Sequence, residues 1–192
     1  MIKHQDDVFS PMYHLIFNTS FGFVAMVWSL QPKFWVHRIF LSHPKNSADK
    51  KLKKEYADST PSSCAEAEEI AGRIRQYLEG EAVTFSLDCL RMDQCSVFQQ
   101  SVLRTEYRIP YGYISTYQRI AYQLSRPKAS RAVGNALAGN PYPIIIPCHR
   151  AVRSDYTLGG YQGGVSMKRY LLESEGNRFD TKNRLIQPSL IY

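Results

Sequence analysis

The chain has 192 residues, of which 44% are hydrophobic and 12% aromatic, which suits one compact unit or two small domains that share an interface. No segment approaches the roughly 20 apolar residues that a membrane helix needs. Residues 1–7 lack the basic and then apolar layout of a secretory signal. We therefore expect no membrane association and a cytoplasmic protein, or a nuclear one in a cell that has a nucleus.

Positive charge is concentrated in the second half of the chain. Residues 1–100 contain 11 Lys and Arg against 12 Asp and Glu, whereas residues 101–192 contain 13 against 5. A positive field concentrated in this way indicates a polyanionic partner, with nucleic acid as the first candidate. The alternative is that the charge serves solubility alone.

The first half is predicted to be an α/β domain that begins with a small antiparallel sheet. Residues 13–18, 22–29 and 34–41 are rich in β-branched and aromatic residues, and turn residues separate them. Residues 44–63 are polar and rich in lysine, so we predict a solvated loop there.

A helix and a short extended segment are predicted to complete this half. Apolar residues recur at helical spacing over residues 64–78, and Gly80 is suited to end the helix. Residues 82–90 are predicted to be extended, and residues 93–95 to be a linker into the second half.

The predicted domain boundary follows residue 92, so the two domains are residues 1–92 and residues 93–192. We predict that the second is an all-α, winged-helix-like domain carrying a helix-turn-helix. Ser96 and Gln99 resemble a capping box that opens a helix ending near Tyr107.

Two short helices are predicted to form the helix-turn-helix. Thr116 can cap the first, residues 125–128 break it, and residues 128–138 form the second. An ordinary helical hairpin has the same pattern, so the pattern leaves both interpretations open.

The second of these helices has an outer face of small residues. The apolar residues at helical spacing, which are assigned to the core, are Ala129, Ala132, Val133, Ala136 and Leu137. The residues of the opposite face, which we assign to DNA binding, are Lys128, Arg131, Gly134, Asn135 and Ala138. Small residues between cations allow a bulky partner close to the backbone, which favours insertion into a groove of DNA.

Four cysteines indicate thiols, without a disulfide framework. Cys64, Cys89, Cys95 and Cys148 are few and scattered, and the chain has neither a C-x-x-C nor an H-x-x-x-H pair, so we expect no metal site. The first three are interpreted as packing residues.

Cys148 follows a rigid apolar run. Residues 144–146 are three isoleucines, predicted to form a buried, strand-like segment, and Pro147 restricts the backbone before the thiol. Burial alone raises a thiol pKa and leaves the group inert, so a reactive Cys148 needs a nearby base or cation. His149 and Arg150 are the candidates, although adjacent residues do not automatically face one another.

The motifs of the second half resemble those of the O6-alkylguanine-DNA alkyltransferases, also called methylated-DNA–protein-cysteine methyltransferases. In chain order they are Thr116-Tyr-Gln-x-Ile-Ala, Arg131-Ala-Val-Gly, Gly139-Asn-Pro, Pro147-Cys-His-Arg, Gly159-Gly-Tyr and Lys168-x-Tyr-Leu-Leu-x-x-Glu-Gly. The resemblance covers roughly residues 96–176, whereas the first half matches only in size and in its order of strands before a helix.

The resemblance implies an α/β domain beside a DNA-binding domain whose recognition helix enters the minor groove. It implies repair of double-stranded DNA, in which the alkyl group of O6-alkylguanine moves to Cys148 after base flipping. O4-alkylthymine is a further substrate that the resemblance suggests. Each molecule would react once, as a monomer and without a cofactor, because a thioether has no leaving group that water could displace.

The resemblance also implies catalytic roles. Cys148 is the nucleophile, His149 contacts the thiol through a water, and Glu175 orients that histidine. Glu175 would lie at the end of its helix, where the dipole disfavours an anion by about 0.3–1 kcal/mol. Tyr117 promotes rotation of the nucleotide and donates a proton toward N3, and Asn140 holds the turn before the thiol.

The resemblance also assigns residues to DNA contact and to the substrate pocket. Arg131 is the finger that fills the space left by the flipped base. The residues assigned to the substrate pocket are Tyr161, Gln162, Ala151 and Pro143. The carbonyls of Cys148 and Ala151 would read the exocyclic amine of guanine. Gln162 replaces a serine that donates to O6 in certain relatives, and Ala151 replaces the commoner valine.

Three other functions would account for only part of the sequence. A non-catalytic sensor of alkylated DNA would lack the cysteine that this chain has. A transcriptional regulator switched by cysteine methylation would need a further domain. A Cys–His hydrolase unrelated to DNA would leave the basic second half and the small-residue helix face unexplained.

Overall fold

The first half of the chain is built on a four-stranded sheet in the order β3-β2-β1-β4. The computed structural model describes residues 10–192, so the segment examined for a secretory signal lies outside the described residues. The strands are β1 (Tyr13–Thr19), β2 (Gly22–Ser29), β3 (Trp35–Leu41) and β4 (Thr60–Pro61). The first three pair antiparallel, as predicted, and β4 adds a parallel edge to β1.

Both faces of β2 are buried, so helices cover the sheet on two sides. Val24, Met26 and Trp28 belong to the main core, whereas Ala25 and Val27 belong to a smaller cluster on the other face. Alternate side chains of a strand point to opposite faces, which accounts for this division.

The prediction of a solvated loop over residues 44–63 is wrong, because the helix α1 (Ala48–Glu55) lies within it. Ala48 and Leu52 are four residues apart and therefore share one face of the helix. They are 0% and 2% exposed and pack with Phe40 in the smaller cluster. The high lysine content hid a narrow apolar stripe, since the lysines occupy the remaining faces.

The helix α2 (Ala65–Leu78) packs in the main core, as its spacing predicts, and Gly80 follows it with φ +95°. Residues 82–90 do not form a strand, although Leu90 pairs with Val36 in an isolated bridge. The linker predicted over residues 93–95 overlaps a short 3₁₀ helix (Met92–Gln94).

The second half is mostly helical. Its helices are α3 (Val97–Tyr107), α4 (Tyr117–Gln123), α5 (Ser130–Ala138) and α6 (Val165–Ser174). The second half was predicted to be all-α, and in addition to the helices it contains two short sheets. They pair β5 (Ser115–Thr116) parallel with β6 (Ala151–Val152), and β7 (Arg178–Phe179) antiparallel with β8 (Leu185–Ile186). Strands of two residues are too short to show alternation in a sequence.

Side-chain caps define the starts of α3 and α4. The Ser96 hydroxyl accepts from the backbone N–H of Gln99, as a capping box requires. The Gln99 side chain does not return that bond, and instead donates to the carbonyls of Ala136 and Gly139 at the end of α5. Gln99 therefore ties α3 to the second helix of the helix-turn-helix.

The two halves share one core. The largest cluster of buried apolar residues includes Trp28 and Ile74 from the first half together with Val133 and Ile146 from the second. The boundary after residue 92 stays a prediction. Within residues 10–192, no helix is both long enough and apolar enough to cross a bilayer.

The interpretation of α1 leads to a stability prediction. Leu52→Ala should lower the free energy of unfolding by about 2–4 kcal/mol, because it removes a side chain buried under the sheet. Urea unfolding measures the change. Lys53→Ala on the exposed side of the same helix is the matched control and should stay within about 0.5 kcal/mol. Equal losses in the two variants would contradict the packing of α1.

Candidate active site

A tight turn precedes Cys148. The buried Asn140 side chain donates from Nδ2 to the carbonyl of Ile146 at 3.0 Å, and its Oδ1 accepts from the Tyr142 N–H at 2.9 Å. The strand-like segment predicted over residues 144–146 is wrong, since Ile144 has φ +74° and the Ile146 N–H donates to the Tyr142 carbonyl. All three isoleucines are buried although the chain reverses direction here. A buried turn and a buried strand can therefore have the same run of apolar residues in the sequence.

Cys148 opens a 3₁₀ helix (Cys148–Arg150) and is 6% exposed. Burial raises the pKa of its thiol to about 12, and the charge of Glu106 adds to the rise. A hydrogen bond with Asn140 and the charge of Lys168 act in the opposite direction. The resting thiol is therefore protonated near neutral pH, and its use as a nucleophile requires a base.

His149 is the candidate for that base, because it follows Cys148 in the chain and is held by hydrogen bonds. Its ring is fully buried, and Nε2 lies 2.9 Å from Oε1 of Glu175. A carboxylate only accepts hydrogen bonds, so Nε2 carries the hydrogen and Nδ1 presents its lone pair. Nδ1 has no hydrogen-bond partner among the described residues. Burial lowers the pKa of His149, which leaves the ring neutral and able to accept a proton.

Glu175 is the centre of this network. It caps the C-terminus of α6, and its side chain is 1% exposed. Its Oε1 accepts from Arg150 Nη2 at 2.9 Å, and its Oε2 accepts from Arg150 Nε at 3.0 Å and from the Gly112 N–H at 3.2 Å. Burial raises the pKa of Glu175, but His149 and Arg150 outweigh it and hold the value at about 2. Arg150 is therefore a partner of the carboxylate.

Tyr77 is a member of the network that the sequence did not reveal. Its hydroxyl donates to Glu175 Oε1 and lies 2.9 Å from His149 Nε2. In the sequence it appears only as a core position of α2. A buried tyrosine hydroxyl usually needs a polar partner, but the sequence does not say which one.

Glu106 and Lys168 form a second buried polar cluster that the sequence analysis missed. Both are 0% exposed, and Lys168 Nζ donates to the Ala151 carbonyl at 2.6 Å. Neither carboxyl oxygen of Glu106 has a hydrogen-bond partner among the described residues, and burial raises its pKa to about 8. Burial lowers the pKa of Lys168 to about 8. Helical spacing from the buried Val102 and Leu103 was a signal that could have placed Glu106 inside.

A cavity of about 290 Å³ opens beside the thiol. Its lining residues are Tyr117, Gly134, Leu137, Ala138, Cys148, Gly160, Tyr161 and Gln162. Of the predicted pocket residues, Tyr161 and Gln162 line this cavity, whereas Pro143 and Ala151 are buried and are not part of its wall. The Gln162 amide donates to the carbonyls of Ala138 and Asn140, at 3.1 and 2.7 Å.

A wider groove of about 720 Å³ adjoins the cavity, and Tyr117, Gly134 and Gly160 line both. Arg131 and Asn135 also line the groove, so the outer face of α5 borders it.

The predicted faces of α5 need two corrections. Lys128 is exposed but precedes α5, which begins at Ser130, because Ala129 caps the helix. Ala132, assigned to the core, is exposed. The buried stripe of this short helix is narrow and consists of Val133 and Leu137.

Tyr117 is held at the junction of groove and cavity. Gly159 has φ +68°, and a Cβ there would lie 2.8 Å from the Tyr117 hydroxyl, so a glycine is needed for both reasons. Burial raises the pKa of Tyr117 to about 12, and the phenol therefore stays protonated at neutral pH.

Comparison with known proteins extends the likeness over both halves. The family model of the 6-O-methylguanine DNA methyltransferase DNA-binding domain matches residues 97–177. The methylated-DNA–protein-cysteine methyltransferase of Methanothermobacter thermautotrophicus is 40% identical over 65% of this chain and 69% of its own length. The one of Methanosarcina acetivorans is 34% identical over 86% and 99%. The chain belongs to the methylated-DNA–protein-cysteine methyltransferase family.

Solved structures of this family confirm the predicted fold class. The O6-methylguanine methyltransferase of Mycobacterium tuberculosis has a TM-score of 0.68 at 30% identity, over 85% of this chain and 92% of its own. The same organism's OGT in complex with DNA has a TM-score of 0.69 at 29% identity and the same coverage. Both matches include the first half, which the sequence motifs do not cover.

The buried Glu106 predicts a pH-dependent stability. Its pKa is raised from 4.5 to about 8, so the folded state keeps a proton that the unfolded state releases, and stability falls as the pH rises between these values. Glu106→Gln mimics the protonated form and does not titrate. Its gain in free energy of unfolding over the natural protein should be small at pH 5 and reach a few kcal/mol, about 2–4, at pH 8.

Urea unfolding at pH 5, 6.5 and 8 tests this expectation. Glu173→Gln is the control, because Glu173 is exposed and its ion pair with Arg169 lies at the surface. A Glu106→Gln effect that is constant across these pH values would contradict a protonated carboxyl in the folded protein.

Proposed function

We propose that the protein repairs DNA by transferring the alkyl group of O6-alkylguanine to Cys148, once per molecule and without a cofactor. The observation that carries the proposal is that the thiol lines a cavity which adjoins the groove beside α5, with a neutral His149 next to it in sequence and anchored on Glu175. The family supports the chemistry, and the DNA complex of the related OGT supports DNA as the partner.

The chemical step begins with removal of the thiol proton. His149 Nδ1 accepts it through one water, and the imidazolium is stabilised by Glu175 at Nε2. The sulfur attacks the alkyl carbon, the S–C bond forms, and the C–O6 bond breaks with its electron pair moving to the guanine. Tyr117 donates its hydroxyl proton toward N3, and the proton held by His149 restores the phenol through solvent. Thiol and alkylguanine thus become thioether and guanine.

DNA binding is proposed to use the outer face of α5 in the minor groove. Gly134 and Ala138 leave the backbone approachable, while Asn135 and the nearby Lys128 contact the sugar–phosphate backbone. Arg131 fills the stack after the damaged nucleotide rotates outward. Tyr117 lines both the groove and the cavity and so lies along that path.

The flipped base is proposed to occupy the cavity, with Tyr161 beside the alkyl group. The carbonyl of Cys148 reads the exocyclic amine. The Ala151 carbonyl accepts from Lys168 Nζ, and Ala151 is not part of the cavity wall, so we assign it no contact with the base in this arrangement. The Gln162 amide already donates to two carbonyls, so we do not propose that it donates to O6 of the guanine in this arrangement. We propose that the protein acts as a monomer, in the cytoplasm or, in a cell that has a nucleus, in the nucleus. We also propose O4-alkylthymine as a second substrate.

The acceptor assignment predicts a mass change confined to one peptide. After incubation with duplex DNA containing O6-methylguanine, the peptide with Cys148 should gain one methyl group in place of one hydrogen. Cys148→Ala should gain none and still retard DNA in a gel, whereas Cys95→Ala, a second buried thiol, should react normally. Transfer of clearly more than one methyl group per protein, or an unmodified Cys148, would overturn the proposal.

The finger assignment predicts a substrate-dependent defect. Arg131→Ala should slow repair of duplex DNA about tenfold or more relative to its reaction with free O6-benzylguanine, because only the duplex requires base flipping, which costs a few kcal/mol. Single-turnover rates with the two substrates measure the ratio. Arg104→Ala removes an exposed cation outside the groove and is the control. Equal losses on both substrates for Arg131→Ala would contradict the assignment.

A further inference from the structure

The first half of the chain supplies a polar group to the network around His149. Tyr77, near the end of α2, is 3% exposed, and its ring lies 5.9 Å from the His149 ring, centroid to centroid. The remaining members, His149, Arg150 and Glu175, all belong to the second half. Packing alone does not require a hydroxyl at this place, since phenylalanine would fill the same space.

The hydroxyl of Tyr77 contacts three polar groups. It donates to Oε1 of Glu175, which as an ionised carboxylate only accepts. Its oxygen accepts from Nη2 of Arg150 at 3.4 Å and lies 2.9 Å from Nε2 of His149. The hydroxyl can therefore donate its own hydrogen to Glu175 while its oxygen accepts from Arg150 and from His149. This set of hydrogen bonds requires that His149 carries its hydrogen on Nε2.

We propose that Tyr77 is a positioning residue for alkyl transfer, which holds His149 with its hydrogen on Nε2 and its Nδ1 lone pair free for the proton of Cys148. The proposal rests on the proposed function. It also gives the α/β domain a part in the reaction, because α2 delivers the hydroxyl to a site whose other groups come from residues 109–175.

Removal of the hydroxyl has a predictable electrostatic effect. Oε1 of Glu175 then loses one donor, and more of its charge acts on the imidazole, which favours the protonated ring. The charged and titratable groups that face His149 are Tyr77 on α2, Arg150 beside it, Tyr161 before α6, Lys168 on α6 and Glu175 at its end. Apart from Tyr77 itself, Tyr77→Phe leaves these groups unchanged.

The test uses Tyr77→Phe in the full-length protein, with free O6-benzylguanine as the substrate, so that base flipping does not contribute. We expect transfer to Cys148 to be about tenfold slower at pH 7 and the acidic limb of the rate–pH profile to move to higher pH by about half a unit or more. Affinity for undamaged duplex DNA, measured by gel retardation, should not change.

Tyr107→Phe is the matched control. Tyr107 is partly buried, whereas Tyr77 is buried, and the Tyr107 hydroxyl donates to the Phe85 carbonyl, which takes no part in the network. Its removal should leave the acidic limb in place. A Tyr77→Phe protein with a normal rate, or with a slower rate but an unmoved limb, would overturn the positioning role.

A second variant keeps the test decisive if Tyr77→Phe does not fold. A fluorotyrosine incorporated at position 77 keeps the hydroxyl and makes it a stronger donor, so the acidic limb should move to lower pH. No movement in that variant would also overturn the role. If the natural protein leaves Cys148 unmodified, the proposed function itself is overturned. If the natural protein transfers the alkyl group and the variants at position 77 show the same rate and the same acidic limb, only the role of Tyr77 is overturned.

Discussion

The site depends on one buried anion, the carboxylate of Glu175. Such a group is costly to remove from water, and it stays ionised only because its oxygens accept from several donors, among them Arg150, His149 and Tyr77. These donors come from α2 and from the segment after the active-site turn. The need to satisfy one carboxylate thus brings together parts of the chain that lie about 100 residues apart.

Under the proposed function, a buried thiol with a raised pKa can still react, because the proposed base, His149, is buried too. His149 is neutral at rest for the same reason that Cys148 is protonated, since desolvation disfavours both charged forms. Proton transfer between them creates a charge pair in a site already supplied with Glu175 and Lys168. The low dielectric that suppresses the resting thiolate also strengthens the interactions that stabilise it when it forms.

The sequence predicted the parts of the fold that follow a simple period. Strands β1 to β3 and helix α2 lie where alternation and helical spacing place them, and the motif around Cys148 identified the family. Helix α1 was missed because its buried stripe has only Ala48 and Leu52 among lysines. The isoleucine run was misinterpreted because a reversal and a strand can both bury three consecutive apolar residues.

The partners of the catalytic groups could not be predicted, since they depend on contacts between distant segments. Nothing near Tyr77 in the sequence indicates that its hydroxyl meets His149, 72 residues away. Glu106 looks like one more helix residue until its burial is known. The motifs therefore supplied the candidate reacting groups, while the environment that sets their pKa values required the tertiary structure.

Gln162 links the width of the cavity to the integrity of the helix that borders the groove. Its amide terminates α5 through Ala138 and steadies the turn through Asn140, while its side chain forms part of the cavity wall. An occupant too large for the present space would have to push this wall aside and release both carbonyls. Room for a larger occupant and a fixed end of α5 are thus opposing demands on Gln162, and if its amide were displaced, Gln99 would be left to hold that end through Ala136 and Gly139.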